Sequence, residues 1–164
     1  MSAAVVVVAQ VVDPEMPMLT LHDLGVVRAV EVSDNGAVRV TITPTYSGCP
    51  AIEVMRADLR AALHQAGYAD VEVCTVLSPA WSTDWISAEG RRKLAEHGIA
   101  PPDRLGPRRI GPVPLTLTPP SSTVSCPRCA SPDTDELSRF GSTPCTALRR
   151  CLACSEPFQH MKEI

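Results

Sequence analysis

A chain of 164 residues allows one ordinary domain, or a small domain with a smaller attachment. Aromatic residues make up 4% of it, so a core must be built from Val, Leu, Ile and Ala, and a net charge of -3 gives no global reason to expect nucleic acid or an anionic membrane as a partner. The cysteine count, seven, is odd, and four of the seven form two C-x-x-C pairs; that reads as metal binding rather than a disulfide framework, and it argues for a reducing, cytoplasmic setting.

Residues 3–12 read as a short helix, although the four consecutive valines would also suit a strand. The apolar run at 3–9 has no basic segment before it and is too short to span a bilayer, so no targeting or transmembrane segment is expected. Asp13-Pro14-Glu15-Met16-Pro17 ends the element, because Pro14 pushes Asp13 out of the helical region. Leu21-His22-Asp23-Leu24-Gly25 reads as a tight turn, with Asp13 and Asp23 in local capping roles. Glu15 lies between two prolines, so its backbone is stiff and its carboxylate has a defined direction.

Residues 26–32 read as a strand, and Val38, Val40 and Ile42 alternate with Arg39, Thr41 and Thr43 in a second. Asn35-Gly36 between them is a hairpin signal. Thr45-Tyr46-Ser47-Gly48-Cys49-Pro50 then joins strand to helix. Pro50 suits the first helical position, which would make Cys49 the N-cap, beside unpaired N–H groups at the positive end of the helix dipole. A thiol so placed ionises readily and can bind metal or attack. The alternative is a small buried residue in a tight turn, and the residues alone leave both open.

From Pro50 the apolar positions Ile52, Met55, Leu59, Leu63 and Ala66 share one helical face, and Gly67 closes the helix. Residues 71–77 read as a third strand, with Cys74 a small strand residue. A loop with Trp81 and Trp85 follows. Ser87 is a suitable N-cap for a last helix that ends at His97 and Gly98, and Pro101 and Pro102 prevent its return. Residues 1–97 therefore predict an α+β domain, a small three-stranded sheet covered by helices on one face.

Residues 98–124 are rich in proline and read as a linker or strap. Residues 125–164 carry Cys126-Pro127-Arg128-Cys129 and Cys151-Leu152-Ala153-Cys154, two knuckles about twenty residues apart, the spacing of a four-cysteine, zinc-ribbon-like module. A module of this size has a small core, so a structural metal would supply the missing stability; zinc is the default and four thiolates also suit iron. Cys145 is a fifth candidate ligand, a reactive thiol or a buried residue, and Phe140, Leu148 and Phe158 are the expected core. Arg128, Arg139, Arg149 and Arg150, without interleaved aromatics, make a weak case for nucleic acid.

Asp13-Pro14-Glu15-Met16-Pro17, Asp23-Leu24-Gly25, the strand ending in Thr45, and Gly48-Cys49-Pro50 together resemble the metal–sulfur cluster assembly-factor family over roughly the first hundred residues. Trp81-Ser82-Thr83-Asp84-Trp85-Ile86-Ser87 and Gly90-Arg91-Arg92-Lys93-Leu94 are similar to that family's C-terminal segment. With the ribbon, and Ser138-Arg139-Phe140-Gly141-Ser142-Thr143 inside it, the chain is similar to the PaaD-like branch, which accompanies the phenylacetyl-CoA epoxidase of aerobic phenylacetate breakdown.

The resemblance implies an accessory role in maturing an iron–sulfur or di-iron centre of that oxygenase system, with no catalysis of its own. The implied partners are the oxygenase and reductase subunits, with neither nucleic acid nor membrane. It implies Cys49 as the working thiol or transient metal ligand, with Glu15 in the same motif as a carboxylate partner, and it leaves open a transient iron or iron–sulfur cluster as cargo. His22 departs from the aliphatic residue expected there and reads as a surface substitution. Two other classes remain: a subunit that docks oxygenase to reductase without handling metal, and a thiol redox protein using Cys49 with Cys74 or Cys145. An exposed edge on a small sheet also allows a dimer.

Overall fold

The computed structural model describes residues 2–46, 48–104 and 123–163. The chain divides into two compact units, residues 1–97 and 98–163. No described helix is long and apolar enough to cross a membrane.

The first unit runs α1 (Ala3–Val8), β1 (Val27–Val32), β2 (Val38–Ile42), α2 (Ile52–Gln65), β3 (Val71–Thr75), a 3-10 turn (Thr83–Trp85) and α3 (Ala88–Glu96). The α1 helix is shorter than the apolar run. It stops at Val8, and Val12 instead bridges Thr20 across the Asp13–Pro17 turn, an extended arrangement that suits a β-branched residue. The β1–β2 hairpin turns at Asn35-Gly36, where Asn35 Oδ1 accepts from the Ala37 N–H and Gly36 takes φ +83°. α2 carries the chain back to lay β3 parallel to β2, giving the order β1-β2-β3. Val38, Val40, Ile42 and Val73 are buried together with Met55, Leu59 and Leu63 of α2 and Ala4 and Val8 of α1. The opposite strand face holds Arg39, Thr41, Glu72 and Cys74, with Arg39 paired to Glu72 at 2.8 Å. The sheet thus carries its helices on one side, as its alternation predicts.

The 19–26 segment forms a second layer of core: Leu19, Leu21, Leu24 and Val26 are fully buried. The Trp81 indole N–H donates to Leu24 O at 2.9 Å. Gly25 is obligatory. Its φ is +67°, and a Cβ there would lie 2.6 Å from Trp85 O. Ser87 caps α3 through its hydroxyl, which accepts from the Gly90 N–H at 2.8 Å.

The second unit is a four-stranded sheet in the order β4 (Ile99–Ala100), β7 (Pro157–Met161), β6 (Thr146–Cys151), β5 (Thr134–Ser138). Ile99 and Ala100 open the stretch expected to be linker, and Val124 closes it. Yet Ile99–Ala100 pairs parallel with Gln159 and His160, and Ala100 and Val124 are buried beside Cys126, Cys151 and Phe158. These are apolar residues at the ends of a proline-rich segment, and burial outweighs the local composition. Residues 105–122 of the expected strap lie outside the described residues. Of the expected ribbon core, Phe158 is buried, Leu148 is half-buried and Phe140 is exposed.

Candidate functional site

Cys126 and Cys129 lie on one turn and Cys151 and Cys154 on another. Each turn is closed by the backbone: Ala130 N–H donates to Cys126 O, Cys126 N–H to Ser131 O, and Cys151 N–H to Glu156 O, each at 2.9 Å. Ala130 (φ 60°) and Ser155 (φ 62°), each just after the second cysteine of its pair, take the left-handed conformation that turns the chain back beneath the sulfurs. An Arg128–Glu156 ion pair at 2.7 Å ties one knuckle to the other.

The four Sγ atoms lie within 4.8 Å of one another, with Cys126–Cys154 at 3.8 Å and Cys129–Cys151 at 3.6 Å. A tetrahedral ion at the usual Zn–S distance of about 2.3 Å requires sulfurs about 3.8 Å apart, so the set fits one four-coordinate metal. The backbone N–H of Cys154, with further N–H and S–H donors, holds the Cys151 thiol down at about 7. Cys129 has the Ser131 N–H favouring its thiolate, yet the neighbouring sulfurs, Cys151 first, push it up to about 12. Four sulfurs this close ionise together only with a cation among them. Cys145 stands apart from this set. It precedes β6 while Cys151 ends it, about 20 Å away at about 3.3 Å per residue. It is buried, with its sulfur 3.1 Å from the Thr143 hydroxyl.

The turn at Cys49 differs from expectation. α2 has Ala51, not Cys49, at its N-cap, and the first α-type bond runs from Met55 N–H to Ala51 O. Cys49 instead sits in two successive turns: its N–H donates to Tyr46 O at 3.2 Å and its carbonyl accepts from Ile52 N–H at 3.3 Å. Pro50 occupies the second position of the later turn, which fixes the same φ that a helix start would. Cys49 is 6% exposed, which is the second of its two sequence readings, a small buried residue in a tight turn. Gly48 packs under a ring: a Cβ there would be 3.1 Å from Tyr46 Cε2.

Glu15 is exposed on the Asp13 turn. Burial, then the Asp13 charge, raises its carboxyl above the ordinary value. Asp13 is buried and caps that turn, its Oδ1 accepting from Glu15 N–H at 2.9 Å and Met16 N–H at 2.7 Å. Its carboxyl is raised by burial against those two donors. Among the described residues, Cys49 and Glu15 belong to no group of three or more potential ligands. His22 is exposed. Cys74 is half-buried, and partial burial, then the Glu72 carboxylate, hold its thiol up.

Asp23 does more than the local capping its turn suggests. Its Oδ2 accepts from Thr20 N–H at 3.0 Å and from Lys93 Nζ at 2.7 Å, and its carbonyl accepts from Ser87 N–H at 2.8 Å. Burial pushes the carboxyl up, but the Lys93 ammonium and the Thr20 donors outweigh it and hold it below its ordinary value. Lys93 and Gly90, whose absent Cβ would lie 2.7 Å from Asp23 O, were not readable as partners. The only trace is that both fall on the face of α3 that also buries Leu94.

Residues 3–75 match a family model described as an iron–sulfur cluster assembly protein, and residues 111–162 match the PaaD zinc beta ribbon domain. The chain is 46% identical over 154 residues, covering 94% of itself and 87% of the relative, to an Escherichia coli K12 protein named as a putative subunit of 1,2-phenylacetyl-CoA epoxidase. It is 34% identical over 85 residues, 51% of itself and 80% of the relative, to the "Fe-S protein maturation auxiliary factor" of Porphyromonas gingivalis. A crystal structure of a domain of unknown function, DUF59, from Bacillus anthracis superposes with a TM-score of 0.52 at 27% identity, over 56% of this chain and 87% of that one.

Proposed function

The chain belongs to the PaaD family, in which an iron–sulfur cluster assembly domain precedes a zinc ribbon, and from this we propose that it is an accessory factor in iron–sulfur assembly, serving the maturation of a multicomponent phenylacetyl-CoA epoxidase. The observation that carries the reading is the 46% identity, which runs through both halves over 94% of the chain rather than through one shared module. The maturation-factor relative that matches the first half supports metal-centre assembly as the activity of that half.

In this reading the first unit handles cargo and the ribbon is structural. Cys126, Cys129, Cys151 and Cys154 hold one zinc, which joins two chain segments whose shared core is small, made of Ala100, Val124, Cys126, Cys151 and Phe158. Cys49 is the working thiol toward iron or a cluster, and Glu15 is its carboxylate partner. Because Cys49 is buried, contact with cargo requires its turn to open, which suits brief transfer rather than storage. The client is one of the oxygenase and reductase components.

The test is epoxidase maturation in cells carrying Cys49→Ala, with metal and acid-labile sulfide measured on the purified oxygenase and reductase. The expected result is loss of iron or sulfide from one component while this protein's own zinc is unchanged. Full metal content in the mutant background would refute the role of Cys49. The buried setting of Cys49 favours one second reading, a subunit that only docks oxygenase to reductase. It predicts full metal content in that background, together with stable co-purification.

A further inference from the structure

The end of the ribbon opposite the sulfurs carries an exposed aromatic on a fixed loop. The chain has two phenylalanines. Phe158 is buried, while Phe140 is 69% exposed at the turn between β5 and β6. Single exposed apolar residues are ordinary on protein surfaces, so exposure alone says little. What distinguishes Phe140 is the rigidity of its mount. Gly141 N–H donates to Thr146 O at 2.8 Å, and Phe140 N–H donates to the Ser138 hydroxyl at 3.2 Å. The Gln159 side-chain oxygen accepts from Ser142 N–H, the Ser142 hydroxyl at 2.7 Å and the Thr146 hydroxyl at 3.0 Å. A Cβ at Gly141 would lie 2.4 Å from Thr146 Oγ1, so no side chain fits there. A loop held this way keeps its aromatic in solvent at a hydration cost and presents it without further loss of entropy on binding.

The tip is also positive. Lys162 Nζ lies 4.7 Å from the Phe140 ring centroid and donates to Arg139 O at 3.0 Å. Arg128, Arg149 and Arg150 are each ion-paired within the ribbon, to Glu156, Glu136 and Asp135, whereas Arg139 has no ion pair among the described residues. Strand addition at the neighbouring edge is disfavoured, because β5 is bulged at Leu137.

We propose that the Arg139–Phe140 tip docks into an apolar pocket edged by carboxylates on a protein partner, one of the two epoxidase components; this rests on the accessory reading above. One aromatic flanked by two cations is too small an apolar area for stable membrane attachment, and Arg139 and Lys162 would repel their own copies across a symmetric contact.

The test uses the full-length zinc-loaded protein against purified oxygenase and reductase components, measuring Kd for wild type, Phe140→Ala, Phe140→Leu and Arg139→Glu. Zinc content and amide protection of β6 and β7 serve as folding controls. The expected result is binding of wild type to one component and loss of about thirtyfold in Phe140→Ala, as for an aromatic hot spot. Phe140→Leu should recover most of that loss, and Arg139→Glu should weaken binding about tenfold with a shallower salt dependence. Unchanged affinity in Phe140→Ala would overturn the docking proposal and leave the accessory role standing. Wild type that binds neither component would overturn both. A Phe140→Ala change that alters only the mass of the protein in solution, or only its retention on vesicles containing phosphatidylserine, would also overturn it, assigning the tip to self-association or to lipid.

Discussion

Removing the metal should unfold the second unit and spare the first. The buried cluster beside the sulfurs consists of Ala100, Val124, Cys126, Cys151 and Phe158, and two of these five belong to the four-cysteine set. A structural zinc in such a module contributes about 10–16 kcal/mol, against a total stability of about 5–15 kcal/mol for an ordinary domain. The unit's buried apolar side chains, Ile99, Ala100, Val124, Ala147, Phe158 and Met161, supply about 1.5–3 kcal/mol for each large one, which the chain entropy of about 1–2 kcal/mol per ordered residue consumes, so they cannot offset that loss. The first unit has its own core, with Leu19, Leu21, Leu24, Ile42, Leu59, Leu63 and Leu94 all fully buried. The residue types separate the two readouts: both tryptophans, Trp81 and Trp85, and both tyrosines lie within residues 1–97. Chelation, or Cys151→Ser, should therefore lower hydrogen-exchange protection of the β6 and β7 amides at least about a thousandfold, equivalent to about 4 kcal/mol. The cooperative unfolding transition followed by tryptophan emission should persist. Amides of β6 and β7 that stay protected after complete zinc removal would refute the argument that the metal holds the ribbon.

Three further outcomes concern the first unit. Lys93→Ala leaves Asp23 without its cation; the two side chains are 27% and 11% exposed, so the cost should be about 2 kcal/mol by urea unfolding, below that of a fully buried pair. Asp23 is held below its ordinary 3.8, so its contribution is complete above that pH and is lost as pH falls through the lower folded value; an acid titration of stability should show this leg in wild type and a weaker one in Lys93→Ala. Asp13 is shifted the other way, its ionised form disfavoured by burial, so stability declines as pH rises from 3.8 through its folded value. Asp13→Asn, which keeps the acceptor for Glu15 and Met16, should raise stability at neutral pH, and Asp13→Ala should lower it by about 2 kcal/mol, both read from denaturant midpoints. Gly90→Ala forces a Cβ to within 2.7 Å of Asp23 O and should cost about 2 kcal/mol, seen as a lower thermal midpoint.

The elements that were legible in the sequence are those whose determinants lie within a few residues. Asn35-Gly36 sets its hairpin through its own side chain and a positive φ. Met55, Leu59 and Leu63 mark the buried face of α2 by spacing alone, and Ser87 caps α3 three residues away. The two C-x-x-C pairs were legible for the same reason, since each knuckle closes on itself and only their meeting is long-range. The Asp23–Lys93 pair was not, because 70 residues separate its members and the turn around Asp23 already accounts for the aspartate locally.

The departures at Cys49 and Phe140 have a different cause. Cys49-Pro50 satisfies the local rule for a helix start, but the carbonyl of Cys49 closes a turn on Ile52 instead, and the helix begins at the next opportunity. Phe140 satisfies the rule for a core aromatic in a small module. The polar network centred on Gln159 fixes its loop first and leaves the ring outside. In both places a local preference gives way to a geometry held by neighbouring hydrogen bonds. Sequences tend to break their own local rules where a site imposes another demand. Cys49 and Phe140 are the residues on which the cargo and docking proposals rest, so substitutions there should move function while leaving the zinc content and the urea midpoint near wild type. A destabilisation at either position as large as that of Gly90→Ala would mean that the broken rule serves the fold.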